Sequence, residues 1–160
     1  MQLNEINAAG LLPEQWFGHA GQLAMLGWLI LILLPRRFKW LFYVPQYLIP
    51  ITLGLLYGGL ASTTYFTSDG GYNSLGDVRR LFESDYMLLA GWVHYLAFDL
   101  FIGAWIAKNA DTLGISRLLQ APILIATFMF GPIGLVLFFC MRATFPMTTN
   151  NKSQREAAHV

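Results

Sequence analysis

Charge, cysteine and basic clusters are all scarce in this chain. Only 12% of its 160 residues are Asp, Glu, Lys or Arg, while 56% are hydrophobic and the mean hydropathy is +0.50. That balance excludes an ordinary soluble domain and, at this length, several domains. The basic residues are scattered and the net charge is +1, so there is no electrostatic footprint for nucleic acid. Cys140 is the single cysteine, which rules out an intrachain disulfide and any cysteine-built zinc or iron–sulfur site. No Lys or Arg precedes Arg36, so the basic region of a secretory signal is missing, and the first apolar segment is expected to stay in the mature protein.

What is present is a series of long neutral stretches, 15–35, 40–68, 86–107 and 118–141, the third broken only by Asp99. Each reaches the ~20 residues a helix needs to cross the hydrocarbon core. The expected fold is therefore all-α: a polytopic membrane protein, a four-helix transmembrane bundle within residues 1–147 with spans near 17–34, 45–66, 86–108 and 120–142. Trp40, Tyr43, Tyr47, Tyr65, Tyr86 and Trp92 fall near the ends of these spans, where interfacial aromatic anchors collect. Arg36, Arg37 and Lys39 follow the first span, which favours both termini outside the cytoplasm. Between the second and third spans, Ser74 and Asp77 form a helix-start pattern, and Leu75, Val78, Leu81 and Phe82 recur at helical spacing. A short amphipathic helix on the membrane surface is expected there. The tail 148–160 is polar and expected to be disordered.

Small residues mark where helices approach closely. Gly54, Gly58 and Ser62 make such a stripe on the second span, and Asp99, Gly103 and Ala107 make one on the third. Asp99 is thus expected to point into the bundle. A carboxylate near the middle of a membrane helix costs roughly 2.5–3.5 kcal/mol on insertion scales, so it is retained for a partner, a ligand or a proton. His94 lies five residues earlier, which turns it roughly 140° away around the axis. It aligns instead with Phe98, Phe101 and Trp105 at i, i+4, i+7 and i+11, a stripe that either packs or holds a conjugated or polyprenyl chain.

His19 and His94 fall at similar depths in the first and third spans, an arrangement open to a bis-histidine haem or to simple interfacial placement. Gly131, Pro132 and Gly134 permit a kink in the fourth span, and Thr127 and Asn109 are candidate partners for a buried carboxylate. A homo-oligomer through Gly54-x-x-x-Gly58, or a larger membrane complex, stays open.

The blocks 74–82 (SLGDVRRLF), 90–101 (AGWVHYLAFDLF) and 130–134 (FGPIG) are similar to those of the abscisic-acid-deficient-type, neoxanthin-synthase-like membrane proteins. The likeness covers roughly residues 15–142, and its most specific portion is Trp92-x-His94 with Asp99-Leu100-Phe101. The resemblance implies action on a carotenoid or other isoprenoid, and without the plastid-targeting leader of the plant members the chain is expected to be a bacterial-type member, in a bacterial inner or photosynthetic membrane. The implied chemistry is the isomerisation of violaxanthin to neoxanthin, in which a 5,6-epoxide opens and a neighbouring C–H is lost to give an allene. It involves no redox change and implies no cofactor or metal.

On this footing Asp99 and His94 occupy the catalytic positions, with Asp99 as acid and His94 as base or orienting partner. Trp92, Phe98, Phe101, Trp105 and His19 are the expected substrate-binding residues. The other reading is a non-catalytic pigment-, quinone- or haem-binding subunit of a membrane assembly.

Overall fold

The computed structural model describes residues 12–35 and 38–144, so the polar tail expected from 148 lies outside the described residues. Among those described, all regular structure is helical. The elements are α1 (Pro13–Leu33), α2 (Lys39–Tyr43), α3 (Ile49–Thr64), α4 (Leu75–Leu81), α5 (Asp85–Thr112), α6 (Arg117–Phe130) and α7 (Pro132–Thr144). Two compact units divide the chain, Met1–Trp105 and Ile106–Val160.

In the first unit, three helical segments are long and apolar enough to cross a membrane: Pro13–Leu33, Trp40–Thr67 and Asp85–Thr112. Pro13 opens α1, where a missing N–H costs nothing, and Gln15 Oε1 accepts the Leu12 backbone N–H at 3.0 Å. The Trp40–Thr67 segment is not one regular helix. Pro45 has no N–H to give and its ring crowds the preceding turn, and here the ladder widens into a π-helical turn over Val44–Leu48. The Ile49 N–H therefore donates to the Val44 carbonyl, five residues back, before α3 resumes.

Contacts fix the directions of these helices. Phe17 stacks on Trp92, with centroids 5.5 Å apart, Gly27 meets Leu100 and Gly103 meets Trp28, so α1 and α5 run parallel. Ile49 also meets Gly27 while Tyr57 meets His94, so α3 runs against both. Gly27 and Gly103 are where the backbones come close: a Cβ on Gly27 would lie 2.5 Å from a Leu100 methyl, and one on Gly103 would overlap the Trp28 ring. The Gly54 and Gly58 stripe, expected to make a helix contact, has no neighbour within 4 Å of either missing Cβ. Helix α4 starts as the sequence suggests, with the Asp77 N–H donating to Ser74 Oγ at 3.1 Å. The Ser74 hydroxyl and the Arg80 guanidinium both hold the Asp77 carboxyl below the ordinary carboxylate value. Among the α4 side chains Leu81 is buried, under the backbone of Gly70, whereas Leu75 is exposed.

The second unit departs from expectation. The stretch foreseen as a single span at 120–142 is divided into α6 and α7, of 14 and 13 residues, each too short to cross alone. Gly131 adopts φ +44°, a left-handed value open to glycine, and Pro132 cannot continue the ladder. Gly134 then packs directly on the Thr127 backbone. Seven residues of unbroken helix would hold those positions about 10 Å apart, so α7 bends back on α6. Thr127 is buried and donates to the Ile123 carbonyl at 2.8 Å, and buried Gln120 donates to Asp111 Oδ1 at 2.9 Å and to the Ile115 carbonyl at 2.8 Å. Gly134→Val is expected to push α7 off α6 and lower stability by about 1–3 kcal/mol in a detergent unfolding titration. A variant as stable as the parent contradicts this packing.

Candidate functional site on the third long helix

Two stripes of α5 differ in chemistry. Leu88, Trp92, Tyr95 and Asp99 follow at i, i+4, i+7 and i+11 and so share one side, while His94, Phe98, Phe101 and Trp105 follow at the same spacing on another. As the sequence predicts, Asp99 and His94 lie about 140° apart. They therefore do not lie side by side on one face of α5.

On the first stripe the Tyr95 hydroxyl donates a hydrogen bond to the Asp99 carboxylate. The second carboxylate oxygen, Oδ2, is buried without a partner among the described residues. An unsatisfied buried acceptor costs about 1–3 kcal/mol, so it calls for an explanation beyond packing. Trp92 stacks on both Tyr95, at 5.4 Å, and Phe17, at 5.5 Å. A cleft of about 380 Å³ is lined by Phe82, Leu88, Gly91, Trp92 and Tyr95. The Phe82 ring lies directly on Gly91, where a Cβ would come within 2.7 Å of it.

On the second stripe His94 is exposed and touches two rings, Tyr57 at 5.2 Å and Phe98 at 4.6 Å. Beside it runs an almost wholly apolar groove of about 290 Å³, walled by Tyr47, Ile51, Gly54, Phe98 and Phe101, with Gln46 of the π turn at its edge. A π turn is a frequent companion of functional sites because it redirects side chains that a regular helix would align. Trp105, half-buried, continues this stripe.

The expected substrate-binding set is thus split. Phe98 and Phe101 share the apolar groove, whereas Trp92 lines the cleft by Tyr95. His19 is exposed and sits about 160° around α1 from Phe17, which meets α5. The parallel register sets His19 and His94 at one depth, and the rings against His94 are Tyr57 and Phe98. Among the described residues no group of three or more His, Cys, Asp or Glu side chains forms a metal cluster. Tyr95 is the functional candidate that sequence reading missed. Its i, i+4 spacing to Asp99 was the available signal.

The model of the ABA DEFICIENT 4-like (ABA4-like) family matches residues 15–138. The chain belongs to that family. Membership, together with three helices of membrane-spanning length and apolarity, makes this a neoxanthin-synthase-like membrane protein in general terms. The match to the ABA DEFICIENT 4-like family runs from α1 into α7 and includes both stripes of α5. No curated protein and no solved structure matches this chain.

Proposed function

We propose that this protein is a multi-pass membrane isomerase that opens an epoxide on a carotenoid or related isoprenoid by acid–base chemistry. The observation that carries the reading is the carboxylate of Asp99, with one oxygen held by Tyr95 and the other buried and unpaired, one helical turn from an aromatic cleft. A proton-transfer group in a water-poor pocket is what such an isomerisation needs, since the substrate loses a proton from carbon and gains one on oxygen. The apolar groove walled by Phe98 and Phe101 suits a polyene, and His94 at its flank serves binding rather than the proton transfer itself.

In this reading the three long helices cross the bilayer and α4 lies along its surface, with the N-terminus on the side opposite the cytoplasm. The host membrane is a bacterial inner or photosynthetic membrane. The apolar groove also favours the second reading, a subunit that holds a pigment without converting it.

Expression in a host that accumulates epoxycarotenoids tests this, with pigments resolved by chromatography and mass. The isomerase yields a new pigment of unchanged mass. A host profile identical with and without the protein overturns it, and a carotenoid that co-purifies unaltered favours the second reading. Gly54→Phe fills the groove at a position with no neighbour within 4 Å, so folding is expected to survive. Conversion is expected to fall about tenfold, in line with roughly 1–3 kcal/mol lost from one blocked apolar contact.

A further inference from the structure

We infer that Tyr95 is the residue that touches the reacting atoms, and that it carries protons between the substrate and Asp99. The inference rests on the isomerase reading and adds to it a second group and a path. Tyr95 alone spans both environments: its ring lines the cleft with Trp92, Leu88 and Gly91, and its hydroxyl donates to Asp99. Asp99 is not among the residues that line the cleft. A carboxylate one turn behind the wall needs an intermediary to act on a bound ligand, and the phenol, hydrogen-bonded to that carboxylate, lies between them.

The polarity of that bond sets the order of events. The substrate C–H next to the epoxide gives its proton to the Tyr95 oxygen as the Tyr95 proton passes to Asp99. The electrons of the C–H bond form the new C=C bond, and the epoxide C–O bond breaks to leave an alkoxide. The proton then returns, from Asp99 to Tyr95 and from Tyr95 to the alkoxide oxygen. Tyr95 and Asp99 end as they began, the substrate keeps its formula, and neither oxidant nor reductant is consumed. The stacking of Trp92 on the Tyr95 ring holds the phenol in the position this exchange requires.

The test uses the full chain in phosphatidylcholine vesicles with violaxanthin as the probe. Tyr95→Phe keeps the ring and removes the hydroxyl, so conversion is expected to fall at least 100-fold, in the range of a lost acid–base group. Its unfolding midpoint in detergent should remain close to that of the parent. A second variant carries 3,5-difluorotyrosine at position 95, which keeps both the ring and the hydroxyl and makes the phenol more acidic. Its rate should change and its pH–rate profile should move toward lower pH, whereas a merely structural tyrosine leaves that profile in place. Full activity of Tyr95→Phe, or an unmoved profile with difluorotyrosine, overturns the relay while the isomerase reading stands. A parent protein that converts no violaxanthin and no other epoxycarotenoid overturns the isomerase reading itself, and the relay with it.

Discussion

Replacing Asp99 with asparagine is expected to cut epoxycarotenoid conversion at least about 100-fold while leaving the protein folded. The two side chains have nearly the same shape, and the amide oxygen still accepts from the Tyr95 hydroxyl. What asparagine cannot do is take up and return a proton. Any stability effect should be small, because hydrogen bonds between side chains in membranes average about 0.6 kcal/mol. Separating these two outcomes is what makes the variant informative. Pigment conversion and the detergent unfolding midpoint are measured on the same preparation. Loss of conversion with an unchanged midpoint assigns Asp99 to the chemistry, and intact conversion with a shifted midpoint reduces it to a residue that fixes helix register.

The largest stability effect is expected at Gly103. Its α-carbon faces the six-membered ring of Trp28, which is only 3% exposed, and an added Cβ would overlap that ring. An indole locked between two helices cannot swing aside as a flexible side-chain tip would. Gly103→Leu should therefore force α1 and α5 apart and cost about 1–3 kcal/mol or more in an unfolding titration. Gly58→Leu, whose Cβ meets nothing within 4 Å, is the matched control and should change little. Shrinking the obstacle with Trp28→Leu in the Gly103→Leu background should recover part of the loss. Equal stabilities of Gly103→Leu and Gly58→Leu would contradict the packing of α1 on α5.

Helical spacing made much of this legible in advance. The spans around α1, the Trp40–Thr67 segment and α5 follow from neutral runs of sufficient length, and the small residues beside Asp99 marked the face of α5 that meets α1 at Gly103. The divergence of His94 from Asp99 follows from the same arithmetic. Contacts between segments were less legible. Gly54 and Gly58 have the same spacing as a packing motif, yet the close approaches occur at Gly27 and Gly103, because which small residues are used depends on how three helices meet. Gly131 and Pro132 signalled a kink, but a positive φ was needed to turn a kink into a fold-back. Tyr95 was hidden for a different reason. Aromatic side chains in a membrane sequence usually announce interfaces or packing, and only the side-chain positions show that this one bonds the carboxylate.

The account depends on the Asp99 side chain being shut off from bulk water inside the bundle. Cysteine accessibility tests this directly: Asp99→Cys is made in a Cys140→Ser background and exposed, in sealed and in opened vesicles, to a charged thiol reagent that cannot enter the bilayer. Ser116→Cys, at an exposed position between α5 and α6, serves as the reactive reference. The account predicts rapid labelling at 116 and none at 99 from either side. Labelling at 99 as fast as at 116 would contradict it.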